Sequence, residues 1–466
     1  MDTDKIKRRQ SLKVIISEAI MVLVVIVTVV ILAFVVSGYW LNSDFKVERQ
    51  GMLQVHSVPT GAELAIDGET NWLQRTNTSK VLPSGEHTIK LTKEGYDSWS
   101  KTVNISEGLL YRIYYPRLFW QERQPESVLD TADYTFATIS PDSESLLLIG
   151  STTEWSLVDL RSDQLQPKKL NVSDYFSGVT LADGATVGLL PGKILDTDWD
   201  QDGNHVLVKL DNGGATDWAL IDVRDVKNSL NLTKEFGDNF TKMEILDNSA
   251  SNLLAVQNGD LRRIDVGGKS VSAVLVEAVN DFDHYDNEIV FSAKNSDANS
   301  YTVGLFKLGD KDFKKLETVD APIKVDISKF YDDTYITSLQ GAHVALHKKV
   351  DYEPVASFDL SFTPTEMEVG IGGAFVTMYD GVKIATLDME ITAIREWQAD
   401  GSSFDWLDNS MIYSVADGEL VVYDFDGYNQ RKLARNVSSH FPVTITDNKW
   451  LYYFSDGELI REKIVE

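Results

Sequence analysis

An all-β ectodomain behind one N-terminal transmembrane helix is the fold class this sequence predicts. Three observations predict it: a long uncharged apolar run near the start, a stretch of strictly alternating apolar and polar residues over 51–117, and a strand-rich unit that recurs through the remaining chain. Composition agrees. Of 466 residues, 43% are hydrophobic and 10% aromatic, enough to fill packed cores despite a formal charge of −27. That charge excludes nucleic acid as the main partner, because polyphosphate would be repelled. The absence of cysteine excludes disulfides, thiol nucleophiles and thiolate metal centres together.

The first element is the helix. Residues 19–41 carry no charge and run from Ala19 through Val36 to Leu41, and about 23 residues at 1.5 Å each span the ~30 Å hydrocarbon slab. Only a helix satisfies its own backbone in lipid, so the Val/Ile richness does not argue for a strand here. Tyr39 and Trp40 stand where an interfacial aromatic belt belongs. The tail 1–18 holds Lys5, Lys7, Arg8, Arg9 and Lys13 against Asp2, Asp4 and Glu18, a net of +2, which leaves −29 for everything after it. Positive flanks stay in the cytosol, which places the bulk of the chain outside the cell membrane. A cleaved signal peptide is the competing reading, with Val35-Val36-Ser37 as its cleavage site.

A linker, 42–50, leads to the second element. From 51 to 117, Leu53/Val55, Leu64/Ile66, Ile89/Leu91 and Val103/Ile105 alternate with polar neighbours, and Pro59-Thr60-Gly61, Asp67-Gly68, Pro83-Ser84-Gly85 and Glu94-Gly95 supply turns. The run Pro59-Thr60-Gly61-Ala62, then Asp67-Gly68, Gly85 with His87, and Gly95-Tyr96 resembles the PEGA domain, a small extracytoplasmic β module. The resemblance implies a spacer or adhesion module. Thr60 departs from the family's Glu, at a turn position.

The third element fills 118–466. A turn rich in Asp or Asn, an apolar strand, a second turn and another strand recur, with turns at Asp142, Asp202, Asn248, Asp286, Asp332, Gly372, Asp408 and Asp447. The spacing averages about 44 residues, and repeats of ~40–50 residues with short strands signal a β-propeller of four-stranded blades. Eight copies predict eight blades, or seven if the copy around Gly372 is not one. The last copy supplies three strands, so 125–129 is expected to complete it and close the ring without an open edge. Ser140-Pro141-Asp142 and the copy from Asp405 to Leu433 resemble TolB-type or WD40-like blades, which implies a binding role and transfers no catalytic residue.

Motifs for chemistry are sparse. Asp198, Asp200 and Asp202 open like a calcium loop, D-x-D-x-D-G, but position twelve is Lys209 where a bidentate Glu belongs. The leading reading is a solvated blade turn, with calcium its competitor; Asp281/Asp283/Asp286 and Asp332/Asp333 read the same way. His343 and His347 lack a zincin's Glu, Gly188–Lys193 is one residue short of a phosphate loop, and no G-x-S-x-G elbow occurs. No cofactor is expected, and calcium is the one alternative. Trp155, Trp218 and Tyr423 recur at equivalent strand positions, which marks them as blade packing before carbohydrate contacts. The sequence therefore predicts a non-catalytic membrane-anchored protein of the cell envelope, whose propeller binds an envelope protein or cell-wall polymer outside. A propeller enzyme acting on envelope glycans and a sensor ectodomain are its competitors; oligomeric state is left open.

Overall fold

The computed structural model describes residues 3–36, 39–41, 47–150, 154–176, 179–180, 186–187, 193–212, 215–246, 249–296, 299–349, 354–401 and 404–466. The expected turn at Asn248 and the glycine-containing loop 188–192 lie outside them. The chain forms two compact units, Met1–Gln121 and Glu122–Glu466.

The first unit begins with helix α1, Thr3–Val36. Its most apolar window, Ile16–Ala33, has a mean hydropathy of 2.8 and none of it is buried, so the helix is long and apolar enough to cross a membrane. It ends earlier than the sequence suggests. Tyr39–Leu41 leaves the helix to form strand β1, which pairs antiparallel with Val47–Arg49 and so satisfies its backbone on a neighbour.

Seven further strands follow: β2 (Val47–Val55), β3 (Glu63–Ile66), β4 (Glu69–Arg75), β5 (Thr78–Pro83), β6 (Gly85–Thr92), β7 (Trp99–Ile105) and β8 (Leu110–Ile113). They make two sheets. In one, β2 joins β1, β5 and, in parallel, β8; in the other the order is β4-β3-β6-β7. Alternation puts Leu53, Val55, Leu64, Ile89, Leu91, Trp99, Val103 and Ile105 into one shared core. Gly51 sits where a Cβ would lie 2.4 Å from the Ser106 carbonyl oxygen, so only glycine lets the chain pass there.

The second unit is a propeller of eight four-stranded blades among the described residues. Blade 6, around Gly372, is complete, with strands Glu366–Val369, Phe375–Tyr379, Lys383–Asp388 and Ala393–Gln398. The wide gap between the first two turns has a structural cause: a two-stranded hairpin, Val179–Thr180 with Thr186–Val187, is inserted between blades 1 and 2. The ring closes as expected. Strand β9, Glu126–Asp130, pairs with Glu458–Lys463 and completes blade 8, and Arg461 reaches Glu126 at 3.0 Å.

The first strand of each blade lies innermost, since these strands bond to one another between successive blades. Trp199 Nε1 donates to Thr138 Oγ1 at 3.0 Å, the Ile245 amide to Asp198 at 3.2 Å and the Ile327 amide to Asp283 at 2.8 Å. Apolar side chains fill the seams. Trp155 and Leu147 meet Val206 and Ala219 between blades 1 and 2, and Leu146 and Val158 meet Tyr452 and Leu459 where blade 8 returns to blade 1. Trp155, Trp218 and Tyr423 are buried in these seams, which is the packing role their recurrence predicts. Asp and Asn serve the turns: Asp286, Asp417, Asp447 and Asn448 take φ between 51° and 55°, a region their short side chains tolerate better than most.

Candidate functional site

The innermost strands place acids inside the ring. Asp198 (blade 2), Glu244 (blade 3), Asp283 (blade 4), Asp326 (blade 5), Glu368 (blade 6) and Asp405 (blade 7) lie on the first strand of their blade, and all but Asp283 directly precede an apolar residue. Strand alternation sends the carboxylate inward and the following apolar side chain into a seam, as Asp405 and the buried Trp406 show.

Two arcs of this ring differ electrostatically. In blades 2 to 5 the acids have cationic company. Lys242 Nζ lies 2.9 Å from Glu244 and 3.2 Å from Asp281, and His284 Nδ1 lies 3.0 Å from the other Glu244 oxygen. Burial works against the Glu244 carboxylate, but Lys242 and His284 hold it below its ordinary range. Burial likewise opposes the His284 imidazolium, and the Glu244 bond overrides it, raising His284. Burial pushes Asp198 up to about 7; burial and then the Glu244 charge push Asp283 to about 6. Asp326 is raised well above the carboxylate range by burial and by Asp283, with which it shares a side-chain hydrogen bond. A proton held between two carboxylates is the usual relief of such repulsion.

In blades 6 and 7 the acids have no such company. Glu368 and Asp405 line a cavity of about 460 Å³ on the inside of the ring, walled by Phe136, Phe404, Trp406 and Phe441. Neither has an ion-pair partner among the described residues. Burial and the Asp405 charge push Glu368 up to about 7, and burial raises Asp405, whose Oδ1 accepts only its neighbour's amide, Trp406 N, at 2.7 Å. Both side chains are nonetheless exposed at the cavity surface. Trp406 Nε1 is buried in the same wall without a hydrogen-bond partner. Tyr413 lines the cavity too, and its hydroxyl accepts the Val443 amide at 3.1 Å, tying blade 7 to blade 8.

The three aspartates of the calcium-like motif do not converge. Asp198 faces inward and accepts the Ile245 amide. Asp200 is buried in the following turn, where it accepts the Asn204 and His205 amides at 2.7 and 2.9 Å and meets His205 Nδ1 at 2.6 Å. Asp202 is exposed at the turn's tip. Period-two alternation followed by a tight turn separates carboxylates that a helical or looped calcium site would gather. Among the described residues, three metal-ligating side chains do gather at Glu244, Asp283 and His284, with ligand atoms within 4.8 Å of one another. The Lys242 ammonium already supplies positive charge there.

The motif residues of the first unit build its turns. Gly61, Gly68, Gly85 and Gly95 all have positive φ, Ala62 is fully buried, and Pro59 follows a cis peptide bond. The Thr60 carbonyl accepts from Lys93 at 2.9 Å, so the residue that departs from the family pattern contributes through its backbone. Asp67 fixes the β3–β4 turn to β6: its carboxylate accepts the Thr88 amide at 2.8 Å and His87 Nδ1 at 2.7 Å, while His87 Nε2 meets the Pro83 carbonyl at 2.8 Å. Those bonds hold Asp67 below the ordinary carboxylate range. Tyr96 packs edge-on to Trp120 with ring centroids 5.0 Å apart.

Comparisons with known proteins agree with this division. Residues 50–116 match the PEGA domain family. No curated protein matches the chain in sequence. Among solved structures, the C-terminal WD40 domain of Sif2 is 12% identical with a TM-score of 0.51, covering 73% of this chain and 98% of that one. The Dos1 propeller is 13% identical with a TM-score of 0.46, covering 73% and 94%. An oligogalacturonate lyase in complex with manganese is 14% identical with a TM-score of 0.40, covering 59% and 90%. At such identities the likeness to the WD40 domain shows the propeller fold alone.

Proposed function

We propose that this protein is a single-pass component of the cell envelope: α1 anchors it, the PEGA domain stands at the membrane as a spacer, and the propeller binds a positively charged group outside the cell without catalysing a reaction. The observation that carries the ligand class is the pair Glu368 and Asp405. Two carboxylates that repel each other, have no ion-pair partner among the described residues and stand among aromatic walls favour a lysine- or arginine-like head, which relieves the repulsion and stacks on the rings. Such a head belongs to a basic segment of an envelope protein, and the free amines of a cell-wall polymer share its chemistry. The +2 tail and the −29 remainder support the orientation.

Trp406 in the cavity wall makes its fluorescence the readout. Pentalysine is expected to shift the emission of the full chain in detergent, pentaglutamate to leave it unchanged, and Glu368→Gln with Asp405→Asn to abolish the pentalysine response. An equal response in the double variant would overturn the assignment. Protease shaving of intact cells checks the topology, and a protected propeller would reverse it.

A further inference from the structure

We propose that the outer face of the β5-β2-β8 sheet of the PEGA domain rests on the phospholipid surface of the bilayer that holds α1; this inference depends on the anchor reading above. The face is apolar where it should be polar. Met52 lies opposite Val81 on one side and Leu110 on the other, forming a cross-strand row with exposures of 42%, 56% and 37%. Leu109 and Tyr114 extend it. Among the described residues these five are all of the large apolar side chains that the domain leaves exposed, and they gather on one face or its adjoining turn. The polar residues between them are Gln50, Gln54, His56 and Ser79, and among the described side chains of this face Arg112 is the one that is charged.

The domain's other sheet provides the contrast. Its outer face carries Glu63, Glu86, Thr88, Lys90, Ser100, Thr102 and Asn104, all exposed and polar, which is how a sheet with one solvated side ordinarily looks. Contiguous apolar surface on a small domain marks a contact. Chain geometry names the occupant. The helix ends at Val36, and β1 begins at Tyr39 and pairs with Val47–Arg49 of β2, the strand that carries Met52. Two connecting residues span about 10 Å at most, and the three steps from Arg49 to Met52 add about 10 Å, so the row begins no more than about 20 Å from the helix end. Met, Val and Leu beside Tyr and Arg, with no carboxylate among the described side chains, suit a phospholipid interface, where the apolar groups insert and the Arg and Tyr tips meet headgroups.

The chain has no native cysteine, so single-cysteine labelling of the full protein is direct. A bimane at Ser79→Cys, on this face, and another at Thr102→Cys, on the polar face, are compared in vesicles of phosphatidylcholine and phosphatidylglycerol bearing headgroup nitroxides. Quenching at 79 is expected to exceed that at 102 several-fold, and Met52→Glu with Val81→Glu to bring the two together while near-ultraviolet circular dichroism stays unchanged. A bimane at Val27→Cys, near the middle of the apolar window Ile16–Ala33, reports the anchor in vesicles whose nitroxides sit on the acyl chains. If position 27 is quenched and 79 matches 102, the surface assignment falls and the anchor stands; if 27 is not quenched, both fall. A label at 79 that is shielded from aqueous iodide but not quenched by lipid means protein covers the face, and also overturns the proposal.

Discussion

Replacing Leu459 by alanine removes a fully buried side chain where blade 8 meets blade 1, among Leu146, Leu148, Val158 and Tyr452 and opposite Leu129 of β9. A Leu→Ala change in such a packed seam costs ~2–5 kcal/mol through lost transfer and a residual cavity, here about 3. If the ring unfolds as one unit, about 345 residues at ~2.1 cal/mol/K each give an unfolding entropy of about 0.7 kcal/mol/K, so the midpoint falls by about 4 °C. Tryptophan fluorescence of the full chain in detergent reads it, because Trp450 packs against this seam. A midpoint within about 0.5 °C of the parent would refute ring closure as a source of stability. Loss of a blade 8 transition alone, with the other blades intact, would refute cooperativity of the ring.

Two further outcomes follow from the described geometry. Glu368, raised to about 7 from its ordinary 4.5, binds its proton more tightly folded than unfolded, so it favours folding at low pH and that contribution is lost as pH rises from about 4.5 to about 7; Glu368→Gln should therefore flatten the gain in urea stability that the parent shows between pH 8 and pH 5, and an unchanged slope would count against the shift. Gly95 has φ +78°, and a Cβ there would stand 2.4 Å from the Trp120 ring; Gly95→Ala should lower the PEGA domain's unfolding free energy by roughly 2–4 kcal/mol through overpacking and backbone strain, seen as earlier loss of its near-ultraviolet signal, and a loss under ~0.5 kcal/mol would refute the close approach.

What was legible in the sequence was whatever is encoded locally. Turn chemistry such as Asp67-Gly68 and Gly95-Tyr96, and strand alternation such as Leu53/Val55, identify the PEGA domain; a recurring turn-and-strand unit identifies the blades, and the three-stranded last copy points to β9. Helix α1 ends at Val36 while the uncharged run continues to Leu41, because hydropathy does not register that Tyr39–Leu41 has a strand partner in Val47–Arg49. The inner acids escaped because they meet only through ring closure. Asp198, Glu244, Asp283, Asp326, Glu368 and Asp405 stand roughly forty residues apart, and in linear order each reads as one acid among many. A signal was present: most precede an apolar residue just ahead of the repeat's turn, as in Asp198-Trp199, Asp326-Ile327 and Asp405-Trp406. Asp198, Asp200 and Asp202 show the opposite, close in sequence yet sent to the ring's interior, a buried turn and the surface.

Closure of blade 8 by β9 also sets a clock on biogenesis. Arg461 and Glu126 are 335 positions apart, and at ~5–20 residues per second synthesis takes on the order of 20–70 s to travel between them. For that interval β9 has no partner and blade 1 no neighbour on one side, so the emerging chain presents a naked strand edge at each end of its unfinished arc. The propeller can become soluble only after residue 463 has left the ribosome and followed the rest to where folding occurs, which makes the whole repeat array a client of whatever shields open β edges along that route.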